Sequence, residues 1–99
     1  MCSNDPSAAV FKQTLERAGL SVPKDVRLTG FADMPMASLM TPPLTTIHQE
    51  RDQMGGAAFR RLLERIANPD LPAFEILFPA PLVVRESTRK SVKLKGKVV

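Results

Sequence analysis

Ninety-nine residues with 43% hydrophobic and 24% charged side chains suit one small soluble domain or a piece of one, and exclude a disordered, collagen-like or disulfide-stapled chain. The lone Cys2 cannot close an internal disulfide, and the single His48 leaves no cluster for a structural zinc, so no metal or cofactor is expected and a reducing compartment is the default. The net charge of +4 misleads about partners: residues 1–84 carry 8 Lys/Arg against 9 Asp/Glu while residues 85–99 carry 6 against 1, so the basic excess sits in a tail and the body has no electrostatic footprint for DNA.

Met1-Cys2-Ser3 reads as the end of a strand. Asp5-Pro6 is a helix start, because the carboxylate can accept from an orphan backbone N–H and proline suits the first helical position. Ala8, Phe11, Leu15 and Ala18 fall on one face, Gly19 supplies a left-handed C-cap and Pro23 forbids continuation, which predicts a helix over 6–18. Val26 to Phe31 reads as the next strand, so the order β-α-β predicts a right-handed crossover between parallel neighbours covered on both faces. Pro35 begins a single helical turn through Leu39.

Pro42-Pro43 then fixes φ at two successive residues and drives the chain out extended, into a strand-like Leu44 to Ile47. A second helix is predicted over 52–67, with Met54, Ala58, Leu62 and Ile66 spaced by four and Phe59 and Leu63 widening the stripe. The pair Gly55-Gly56 within it suggests close backbone packing. Asn68-Pro69-Asp70 ends the helix. Phe74 to Phe78 and Leu82 to Arg85 read as strands, and residues 89–99 as a loose basic tail. Neither a signal peptide nor a membrane span is encoded in these residues. No set of nucleophile, base and orienter marks an enzyme, and no GxGxxG or GK[ST] loop marks a phosphate site.

Five stretches, SNDPSAAV, AGLSVPKDVRLTGF, TPPLTTIHQ, MGGAAFRRLLERI and LVVREST, resemble the sensor domain of LacI/GalR-type transcription regulators, in the family's own order and without gaps. The resemblance covers residues 1 to about 88 and implies a parallel-sheet, three-layer α/β/α architecture: the C-terminal fragment of a two-lobed periplasmic-binding-protein-like I fold. It implies that 1–47 belong to the C-terminal lobe with its crossover, that 48–79 form a helix and strand of the N-terminal lobe, and that 80–88 return. The function implied is effector-responsive control of transcription in the cytoplasm. The implied partners are a sugar-like or other polar metabolite, a second copy of the chain, and DNA through a head domain absent from these residues. A piece of an exported solute-binding protein shares the fold and is the first alternative; a standalone dimerising module is the second.

The resemblance also implies roles for individual residues. Asn4 matches an effector-bonding position at the end of a strand, and would otherwise shape the loop before the Asp5 cap. Ala32 stands where the family usually carries an aspartate that grips the effector. Either Asp33 therefore turns inward, or the effector differs from the usual sugar or purine, or binding has been lost; the structural alternative for Asp33 is to stabilise the turn before the short helix. Gln49 and Arg51 match cleft positions beyond the crossover, where an amide and a guanidinium suit a hydroxylated or anionic ligand. Pro42, Pro43, Ile47 and His48 match the hinge. Ala9 and Met40 match positions of a twofold dimer interface, to which the neighbouring Met34 and Met36 add apolar surface.

Overall fold

The computed structural model describes residues 1–90, together with the backbone pairing at 93–94 and 97–98. The chain divides into two compact units, Met1–His48 with Pro81–Val99, and Gln49–Ala80.

In the first unit helix α1 spans Asp5–Arg17. Its N-cap is Asn4, whose Oδ1 accepts from Ser7 N–H at 2.8 Å. The predicted cap, Asp5, is instead the first residue of the helix and fully buried. The helix closes as expected at Gly19, with φ +80, where Leu20 N–H reaches back to the Leu15 carbonyl at 2.9 Å and Gly19 N–H to the Glu16 carbonyl at 3.0 Å. Those two bonds form a Schellman motif, which requires the left-handed residue that glycine adopts without strain. Ala8 and Leu15 are buried as the periodicity predicts, whereas Phe11, on the same predicted face, is 46% exposed. Helix α2, Pro35–Leu39, follows a left-handed turn, and Ala37 on it is buried.

The core is small: Ala8 of α1, Ala37 of α2, Leu28 and Leu44 form one cluster, with Cys2, Val22 and Met40 packed around it. So little apolar burial shifts weight to the buried polar residues Asp5, Thr45, Thr46 and Ser87. Every buried side-chain nitrogen or oxygen among the described residues has a hydrogen-bond partner.

The sheet departs from the expected parallel three-layer architecture. Strand β1 (Thr46–Ile47) pairs antiparallel with β2 (Leu82–Val83), in register Thr46 with Val83 and Ile47 with Leu82. Strands β3 (Lys93–Leu94) and β4 (Lys97–Val98) form a second antiparallel pair. The described chain is thus a small α/β structure with two-stranded antiparallel sheets. Parallel pairing persists as isolated bridges, Thr29 with Thr45 and Ala32 with His48. The physical reason lies at both ends of residues 28–32. Cys2 contributes a single N–H bond to the Thr29 carbonyl, at 2.9 Å, and the left-handed Ala32 and Asp33 stop the extended backbone beyond it. A parallel ladder needs longer uninterrupted runs than these. The predicted strand ends at Met1-Cys2-Ser3 and the predicted strand Phe74 to Phe78 are likewise not formed. The expectation of a loose tail over 89–99 falls partly outside the described residues.

In the second unit helix α3 spans Arg51–Ala67 and ends where Asn68-Pro69-Asp70 turns the chain, Asn68 Oδ1 accepting from Asp70 N–H at 3.3 Å. Arg61 anchors the returning segment: its guanidinium lies 3.9 Å from the Phe74 ring centroid and donates to the Pro72 carbonyl. Met54, Ala58, Phe74 and Ile76 line the shallow groove between them. The predicted apolar stripe is present but uncovered among the described residues: α3 has no buried residue, and Phe59 and Ile66 are 61% and 67% exposed. The expected close packing at Gly55-Gly56 is also absent. A Cβ at Gly55 would meet nothing within 4 Å, and one at Gly56 would meet just the end of the Arg60 side chain.

Candidate functional site

A polar cluster organises the end of the first unit where the chain leaves for the second. Ala32 and Asp33 adopt φ +99 and +56, conformations that non-glycine residues hold only where their surroundings over-determine them. Asp33 is held on three sides. Its Oδ2 lies 2.9 Å from His48 Nδ1, its Oδ1 lies 2.9 Å from Arg85 Nη2, and its backbone N–H donates to Thr46 Oγ1 at 3.3 Å. Burial pushes the Asp33 carboxyl up, but the hydrogen bonds and positive charge of His48 and Arg85 outweigh it and leave the group below the ordinary carboxylate value.

Behind this turn sits Asp5. Its Oδ1 accepts from the Thr46 hydroxyl at 2.7 Å and its Oδ2 from Met34 N–H at 2.6 Å, so one buried carboxylate joins the start of α1, the turn before α2 and strand β1. Gly30 allows this approach: a Cβ there would come 2.7 Å from Leu44 Cδ2 and closer still to Asp5 Oδ1. A third set of bonds locks the closing segment. Ser87 Oγ donates to the Leu28 carbonyl at 2.6 Å and accepts from Thr45 N–H at 2.8 Å, while Ser87 N–H donates to the Pro43 carbonyl at 3.0 Å. The Thr45 hydroxyl accepts from Arg85 N–H at 2.8 Å, and Arg85 Nη1 donates to the Leu44 carbonyl at 3.0 Å.

The predicted site residues are distributed as follows. Asn4 caps α1 and is exposed; Asp33 and His48 are bonded to each other; Pro42, Pro43 and Ile47 lie on the segment leading into and through β1. Gln49 and Arg51 open the second unit, Arg51 as the first residue of α3. Ala9 is half-buried on α1, and Met40 caps α2 and packs against the core of its own unit. Among the described residues no three His, Cys, Asp or Glu side chains come together as a metal site, and no helix is long and apolar enough to cross a membrane.

Residues 1–88 match the model of the periplasmic binding protein-like domain. The chain belongs to that domain family, in its LacI/GalR branch. It is 39% identical over 97 residues to the HTH-type transcriptional regulator MalR of Streptomyces coelicolor, covering 98% of this chain and 28% of that protein. Among solved structures it resembles a LacI family transcriptional regulator from Enterococcus faecalis with bound ribose, with a TM-score of 0.78 at 36% identity over 86% of this chain and 32% of the other. It also resembles the lac repressor dimer bound to operator and an anti-inducer, with a TM-score of 0.77 at 31% identity over 89% of this chain and 31% of the other. The chain therefore spans under a third of the length of these relatives, which are transcription regulators and not enzymes.

Within this segment, four residues of the polar network escape a reading of the sequence. Asp5 reads as a cap and Thr46, Ser87 and Arg85 as parts of extended runs, yet together they hold the 32–34 turn and the crossover. The pairing of His48 with Asp33 is also missed, because the two stand 15 residues apart with the short helix between them. The signal that was present is chemical: hydroxyls and an arginine stand beside a double proline and in the LVVREST close, where a strand that only packed would carry apolar residues.

Proposed function

We propose that this chain is the effector-sensing and dimer-forming part of a cytoplasmic transcription regulator that responds to a small polar metabolite. The observation that carries the reading is the match of residues 1–88 to the periplasmic binding protein-like domain alongside 39% identity to a regulator over 97 residues. A relative of known structure holds ribose, and another is a dimer on its operator; these support a sugar-like ligand, a second copy of the chain and DNA as partners of the intact protein.

The effector contacts in this proposal are Asn4, Gln49 and Arg51, whose amides and guanidinium suit hydroxyl or anionic groups. Asp33 has both carboxylate oxygens engaged, by His48 and Arg85, and in this proposal its main part is to hold the turn. Pro42, Pro43, Ile47 and His48 form the outgoing hinge, and Ala9 and Met40 contribute to the dimer surface. Response to the effector then requires that it bind two arrangements of the protein with different free energies.

Reading the gene in frame upstream of Met1 tests the proposal. A helix-turn-helix segment joined by a short hinge is expected; a signal peptide there overturns the reading in favour of an exported solute-binding protein.

A further inference from the structure

We propose that Asp33 is a positioning residue that fastens both segments by which the chain passes between its two units, β1 through His48 and the segment after β2 through Arg85, to the left-handed turn at residues 32–33. The clasp stands on geometry in the first unit alone. Its bearing on effector response rests on the function proposed above.

His48 is the last residue before the chain enters the second unit, and Pro81 the first after it returns. The pairing that joins the two passages is short. β1 and β2 match over two residues each, extended by one bond from His48 N–H to the Pro81 carbonyl at 2.9 Å. A ladder of that length does not hold register by itself. Asp33 adds an attachment to each passage, 2.9 Å to His48 Nδ1 on one side and 2.9 Å to Arg85 Nη2 on the other, and charge-assisted bonds are the stronger kind.

Arg85 extends the clasp, since its other terminal nitrogen reaches the Leu44 carbonyl ahead of β1. A planar fork can serve two acceptors in fixed directions, which the single ammonium of a lysine cannot. The turn itself needs such support, because Ala32 and Asp33 are consecutive non-glycine residues at positive φ. Ionisable groups at or beside the clasp include His48 just after β1, Arg85 beyond β2, and Asp5 at the start of α1. Asp5 is turned to Met34 N–H and the Thr46 hydroxyl.

The test is amide hydrogen exchange by NMR on the 99-residue chain, its Asp33→Asn variant and its Arg85→Lys variant. In Asp33→Asn, protection is expected to fall by about tenfold or more at Ala32 and His48, the amides bonded to the Ile47 and Pro81 carbonyls. Leu28, whose amide bonds to the Ser87 carbonyl, is expected to keep its protection. Arg85→Lys falls between wild type and Asp33→Asn. Acidifying wild type through the Asp33 titration is expected to reproduce the variant pattern, while Asp33→Asn shows no such pH step. Unchanged protection at Ala32 and His48, or a uniform fall that includes Leu28, overturns the proposal. A signal peptide upstream of Met1 would sink the regulator reading and leave this exchange pattern as it is, so the two failures are distinguishable.

Discussion

Replacing Asp5 separates the buried-anchor role found here from a simple helix-capping role. The carboxylate is fully buried and accepts two hydrogen bonds, from Thr46 Oγ1 at 2.7 Å and Met34 N–H at 2.6 Å. Hydrogen bonds to a charged group contribute about 1.5–3 kcal/mol each, so Asp5→Ala, which leaves both donors without a partner, is expected to cost about 3–5 kcal/mol. Total stability for a small domain is about 5–15 kcal/mol, so this one change removes a large share of it. Asp5→Asn has the same shape: its oxygen can still accept from Met34, and its amide N–H can donate to the Thr46 hydroxyl, which rotates to accept. The Thr46 hydroxyl proton then loses its acceptor, so the expected cost is about 1–3 kcal/mol, still below that of Asp5→Ala, which leaves both donors unpaired. Urea unfolding followed by circular dichroism reads both values, with slopes of about 1–3 kcal/mol/M. Equal losses in the two variants, or an Asp5→Ala variant within about 0.5 kcal/mol of wild type, would refute the anchor.

Gly30→Ala places a methyl 2.7 Å from Leu44 Cδ2 and against the Asp5 carboxylate, so overpacking is expected to cost about 1–3 kcal/mol in the same urea assay. Gly55→Ala, in α3 with nothing within 4 Å of the new methyl, is expected to raise stability by about 0.5–1 kcal/mol, measured as an upward shift of the unfolding midpoint. Because the fold holds the Asp33 carboxyl below its ordinary value, its ionised form adds stability that is fully present above the unfolded carboxylate value of about pH 3.9. That contribution is lost as pH falls through the lower folded value. A stability profile that Asp33→Asn flattens in this acid window is the expected result, and an unchanged profile counts against it. In a gel-shift titration the 99-residue chain is expected to show no sequence-specific DNA binding, since residues 1–84 carry 8 Lys/Arg against 9 Asp/Glu. A salt-resistant specific complex would refute that.

Local chemistry was legible wherever a residue acts on its own neighbours. Asp5-Pro6 and Gly19 bound α1, Pro35 starts α2, and Asn68-Pro69-Asp70 closes α3, because caps and prolines impose their geometry within a few residues. The double proline led into extended chain as expected. What failed depends on partners far along the sequence. Val26 to Phe31 has strand composition but meets parallel neighbours at isolated bridges, and Phe74 to Phe78 has it too yet pairs with no strand among the described residues. Periodicity assigned a buried face to α3 that no described residue covers, because an apolar stripe records what a helix can pack against and not what is there. Asn4, Gln49 and Arg51 are assigned by the family resemblance alone. The network of Asp5, Asp33, Arg85 and Ser87 became visible only once the structure brought its members together, since each partner lies at least 40 residues from another across the crossover.

The Ser87 lock also dictates an order of events during synthesis. Its hydroxyl joins the Leu28 carbonyl, 59 residues earlier, to the Thr45 amide, 42 residues earlier, so the first unit cannot be completed until residue 87 has left the ribosome. Gln49–Ala80 is continuous in sequence and emerges whole before that closing serine is translated. Contacts of such long sequence separation form slowly. The nascent first unit therefore waits half-built while its later-made neighbour is already out, and that interval is when chaperones and proteases would find it most accessible.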